Sequence, residues 1–127
     1  MHTAESLHPA LFARLIDGLY TEALVMADEA RAYFDRQGDA DKGRYDTMTR
    51  LSFTCESLKV TTRLMHIIAW LLHRRAMFAG DPGAGPNDSA ARIGEPVSAD
   101  WNVCAGFEDP VCRIVAASER LFERIAT

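Results

Sequence analysis

The stretch ESLKVTTRLMHIIAWLLHRRA, Glu56 to Ala76, decides the fold: its period is helical, yet it is apolar around more of its circumference than one core contact requires. At 100° per residue, Leu51, Cys55, Leu58, Thr62, Met65, Ala69, Leu72 and Ala76 fall on one stripe, with Phe53, Val60, Leu64, Ile67, Ile68 and Leu71 roughly opposite. Such a helix must bury two faces. The first stripe is expected in the chain's own core. The second, Val60, Leu64, Ile67, Ile68 and Leu71, is expected to form a dimer interface with another copy.

Working outward, this helix is expected from about residue 44 to 78. Upstream, Ser6 and Pro9 supply a cap and a first-turn residue for a helix of about 7–36. Its core stripe reads Leu11, Phe12, Leu15, Leu19, Ala23, Met26, Ala30 and Phe34, and the Gly38 to Gly43 region breaks it. Residues 80–106 hold five of the eight glycines and three of the five prolines, which predicts an irregular connection. Asp109 and Pro110 then restart a helix of about 110–125, with Val111, Ile114, Val115, Ser118, Leu121, Phe122 and Ile125 on one face. The expected fold is all-α: one domain over 1–127, an elongated three-helix bundle with a long central helix, dimerising.

Composition sets limits independently. A chain of 127 residues, 48% hydrophobic and 25% charged, suits one ordinary globular domain. The formal charge of −4 gives no general attraction to phosphate backbones and argues against nucleic acid as a partner. Residues 1–41 carry eight acidic and three basic side chains, whereas 42–75 carry seven basic and two acidic, so the first two helices are expected to pair antiparallel. Three cysteines without a C-x-x-C pair suit a reducing compartment. Met1 to Ser6 lacks the basic region of a signal peptide, and the apolar run Ile67–Leu72 is too short for a bilayer. The expectation is a cytoplasmic protein with no membrane contact.

Two blocks also carry a likeness. The Glu56–Ala76 stretch and LYTEALVMADEARAYFD, Leu19 to Asp35, resemble the signature of the bacterial RcdA family, the regulators of CtrA degradation. The likeness implies a short helical homodimer that acts as a non-enzymatic adaptor of the ClpXP protease, working with response-regulator substrates and co-adaptors in cell-cycle control. Some members of that family look to have a flexible tail after the last helix; this sequence ends at Thr127, and no tail-dependent activity is carried over.

Residue chemistry offers little catalysis, and neither a metal nor a cofactor is expected. His66 and His73 lie two turns apart, about 10 Å, too far for one metal. Cys55 has no histidine at helical spacing and reads as a small hydrophobe. Gly80 to Pro86 lacks the Lys-Ser/Thr pair of a phosphate loop, and no histidine completes a di-metal pattern with Glu22 and Glu29. Thr61 and Thr62 suit helix packing. Trp70 falls on the polar strip of the second helix, among Lys59, Arg63, His66, His73 and Arg74. An aromatic among basic residues suits a protein-binding anchor, so Arg63, His66, Trp70, His73 and Arg74 are the expected partner contacts; the alternative is that Trp70 packs on the chain itself. A small DNA-associated regulator is the competing class, opposed by the acidic total and the lack of helix-turn-helix spacing.

Overall fold

The computed structural model describes residues 9–40, 46–81, 83, 93 and 97–126, with 37–40 described by backbone alone. The expected Ser6 cap, the start of the second helix at residue 44 and residues 82, 84–92 and 94–96 of the connection 80–106 lie outside them. The described residues form four helices and no strand: α1 Pro9–Ala40, α2 Thr47–Phe78, α3 Trp101–Cys104 and α4 Asp109–Ala126. The helix α3 is a single turn inside what the glycine and proline content presents as irregular chain. The backbone of α1 continues to Ala40, past the expected end near Arg36.

Local chemistry sets the ends of α2. The Asp46 carboxylate accepts from the Thr49 amide at 2.8 Å, and this bond holds the carboxyl below its ordinary pKa. At the other end Gly80 takes φ +78°, its amide reaches Met77 O, and the Asp81 amide reaches Ala76 O. This paired closure satisfies the last carbonyls and needs a left-handed residue at position 80, which glycine supplies without strain. The last helix starts one residue earlier than its proline suggests, because the Glu108 carbonyl accepts from both Val111 and Cys112 amides.

The helices α1 and α2, each 32 residues and so about 48 Å long, run antiparallel. Phe12 meets Phe78 at 4.7 Å, Asp17 pairs with Arg75 at 3.0 Å, and Phe34 meets Phe53 at 5.7 Å. The exposed ion pair contributes only about 0–1 kcal/mol; apolar packing dominates. Phe53 also contacts Phe107 at 5.5 Å, closing one end of the core. Val111, Val115, Leu121 and Phe122 of α4 complete it against both long helices.

Two expectations about faces are corrected. In α2 the faces exchange roles: Val60, Leu64, Ile67 and Leu71 are buried in the chain's own core, and Ile68 packs against it, so these five do not form a free dimer interface. The stripe assigned to the core is outside. Leu51, Leu58, Met65 and Leu72 are exposed by 56%, 61%, 63% and 44%. The physical reason is bulk: the inner face carries β-branched residues and leucines at nearly every turn, whereas the other alternates long side chains with Cys55, Thr62, Ala69 and Ala76. In α1 the expected stripe holds at Phe12, Ala23 and Ala30, which are buried, and at Leu19, Met26 and Phe34, which pack against the core, and it shifts only over the first two turns. Phe12 and Ile16 are inside, while Leu11 and Leu15 are outside.

Candidate protein-interaction site

The polar strip of α2 turns inward, and this decides which of its residues can meet a partner. Arg63 is 2% exposed. Its Nε donates to Val97 O at 3.0 Å, Nη2 donates to the same oxygen, and Nη1 donates to Ser118 Oγ at 2.7 Å. Burial pushes the Arg63 pKa down, opposed by the nearby Glu119 and Glu56 carboxylates. A guanidinium nevertheless keeps its charge in proteins. Its planar fork spans a loop carbonyl and α4 together.

Two turns earlier, buried Glu56 accepts from Lys59 Nζ at 2.8 Å, Cys104 Sγ at 3.3 Å and the Asp100 amide at 3.4 Å. Burial works to raise its pKa, but Lys59, Cys104 and Asp100 together hold it below the ordinary value. Burial, then the bond to Glu56, pushes the Cys104 thiol up to about 12. Such a thiol is a poor nucleophile near neutral pH. From α4, Glu119 accepts from the Ala99 amide at 3.0 Å and Trp101 Nε1 at 2.8 Å. Glu56 and Arg63 of α2 and Glu119 of α4 thus hold residues 97–104 by hydrogen bonds, beside the apolar contacts that Ala99, Val103 and Cys104 make with the core.

The expected partner residues therefore separate. Arg63 and His73 are buried, which corrects their assignment to a contact surface. Trp70 is half-buried against the core, with the Arg74 guanidinium 5.1 Å from its ring centre. His66 and Arg74 are also half-buried, and neither His66 Nδ1 nor Arg74 Nε has a hydrogen-bond partner among the described residues. Helical angle does not reveal that Val97, far along the chain, closes over Arg63.

What faces outward is the opposite side of α2: Met48, Leu51, Leu58, Met65 and Leu72, with Cys55, Thr62 and Ala69 between them. This contiguous apolar face adjoins a groove of about 500 Å³ between α1 and α2. Leu24, Phe34, Leu58, Met65 and Ile68 line it, and Arg31, held at 2.7 Å by Asp28, stands on its rim. A second groove of about 570 Å³ runs between α1 and α4 past Val25, Met26, Glu29, Arg113 and Ile114. An apolar face of this extent marks an interaction surface in general. The sequence signal for it was available, as the stripe Leu51 to Ala76.

Among the described residues, no group of three or more His, Cys, Asp or Glu side chains is placed to hold a metal ion. None of their helices is long and apolar enough to cross a membrane. Thr61 Oγ1 returns to Ser57 O at 3.2 Å. Gly80 closes α2, while residues 82 and 84–86 of the glycine-rich stretch lie outside the described part.

Residues 7–127 match the family described as "Protein of unknown function (DUF1465)", and the chain belongs to that family. Neither a curated protein nor a solved structure matches it.

Proposed function

We propose that this member of the DUF1465 family is a non-enzymatic adaptor of the RcdA kind, a homodimer that promotes ClpXP-dependent proteolysis of a cell-cycle transcriptional regulator. The likeness of Leu19–Asp35 and Glu56–Ala76 to the RcdA signature carries this reading. The exposed apolar face of α2 and the adjoining groove support it, because an adaptor works by holding partners and needs uncommitted surface. Partner contacts are assigned to the outward sides of α1 and α2, not to Arg63 and His73. The burial of Arg63 and His73 takes both out of the basic strip on which the DNA-associated alternative rests.

Reconstituted ClpXP, supplied with response-regulator substrates and the co-adaptors they require, tests the reading directly. Adding the wild-type chain should accelerate degradation in proportion to its concentration. An unchanged rate across that titration overturns the adaptor assignment.

A further inference from the structure

The outward face of α2 repeats with a spacing alternating three and four residues: Met48, Leu51, Cys55, Leu58, Thr62, Met65, Ala69, Leu72 and Ala76. That is the spacing of a coiled-coil seam sustained for four heptads. The intervening positions Phe53, Val60, Leu64, Ile67 and Leu71 are all committed to the core, so the seam points directly away from it. Within the seam, size alternates. One set is large (Leu51, Leu58, Met65, Leu72), and the other is small (Cys55, Thr62, Ala69, Ala76).

We propose that this seam takes a second copy of the chain, with the two α2 helices antiparallel and Thr62 of each opposite Met65 of the other. This rests on the homodimer reading above and specifies its surface, direction and register. The reason is steric. In that register Leu58 meets Ala69 of the second copy, Leu72 meets Cys55, Leu51 meets Ala76 and Met48 meets Ala79, so every large side chain lies over a small one. A parallel pair in register would stack leucine on leucine and alanine on alanine, leaving the small layers underpacked. Antiparallel alignment also sets opposite helix-dipole ends together. At the flanks it brings Thr54 near Arg75, Thr61 near Ile68 and Lys59 near His66, with no two like formal charges paired.

Extent is consistent with a stable pair. A seam about 42 Å long and about 10–12 Å wide offers roughly 500 Å² on each copy by helix dimensions. The adjoining groove wall of α1 brings this toward the roughly 800 Å² per partner of a standard interface. A heterologous helix could use the same leucines, but only a second copy is guaranteed to present the complementary small residues in the same order.

Exposed Cys55 makes the direction measurable, since Cys104 is buried. Mild oxidation of Leu72→Cys should yield a covalent dimer whose linked peptides join Cys55 to the new cysteine, while the wild-type chain forms no Cys55–Cys55 link. In parallel, Leu58→Ala should raise the dimer dissociation constant about 100-fold, two leucines per dimer being lost. Ala69→Leu should raise it roughly tenfold or more by overpacking. Combining the two should restore binding to within a few-fold of wild type. All the substituted positions are exposed in the single chain, and unchanged helicity by circular dichroism confirms that each variant folds. A wild-type monomer in light scattering at micromolar concentration overturns the homodimer itself. A stable dimer that gives Cys55–Cys55 links, or no Cys55 link from Leu72→Cys, or no rescue in the double variant, overturns the antiparallel seam alone.

Discussion

Arg63 shows what a single residue can decide. It lies mid-helix in a run of apolar side chains, and its burial is tolerated because the guanidinium makes three hydrogen bonds, two to Val97 O and one to Ser118 Oγ. Arg63→Ala would strand that carbonyl and hydroxyl in the interior and leave a cavity. The expected cost is about 3 kcal/mol, read by calorimetry as a fall in Tm of roughly 10 °C. Trp70→Ala should likewise lower Tm, because the ring is packed on the core. Cys104 adds a pH signature. Its folded pKa is raised from 9.0 to about 12, so the stability it contributes is fully present below pH 9 and is lost as pH rises toward 12. Denaturant titrations between pH 9 and 11 should show stability falling more steeply for wild type than for Cys104→Ala, by up to about 1.4 kcal/mol per pH unit. Equal slopes would remove Cys104 from the account. Glu56 acts in the opposite range. Its pKa is lowered from 4.5, so its contribution is present above that value and is lost as pH falls through the folded pKa.

At the scale of the element, α2 carries two apolar faces that differ in what truncation costs. Leu64 lies in the core, and Leu64→Ala should cost about 2–5 kcal/mol. Met65 is its neighbour in sequence but is 63% exposed, and Met65→Ala should change the stability of the dissociated chain by no more than about 0.5 kcal/mol. Urea unfolding of both variants at low protein concentration separates the two faces. If Met65→Ala proved the costlier, the inside and outside of α2 would have to be exchanged. The end of the helix is similarly testable. Gly80→Ala places a Cβ at φ +78° and should cost about 1 kcal/mol, although nothing lies within 4 Å to clash with it.

For the molecule as a whole, association and stability are linked. A homodimer's Tm rises with protein concentration, because the pair binds only the folded chain. Wild-type protein should show that rise, and Leu58→Glu should abolish it while keeping its helicity. A wild-type Tm independent of concentration over two decades would count against dimerisation.

All-helical character was legible in the sequence alone, since helical spacing and the glycine- and proline-rich break after residue 78 are local properties that act within a few residues. So was the existence of a surplus apolar face on α2, because period and residue type establish how much of a helix must be covered. Which face was surplus required the tertiary structure. Both stripes are apolar, and only the packing of α1 and α4 around Val60, Leu64, Ile67 and Leu71 distinguishes the filled face from the open one. The roles of Arg63, Glu56 and Cys104 were equally hidden. Their partners Val97, Asp100 and Ser118 lie 34 to 55 positions away in sequence or belong to a segment with no periodic signal. A hydrogen bond to a distant carbonyl leaves no trace in helical spacing, so chain proximity in space alone assigns a buried arginine to structure instead of to recognition.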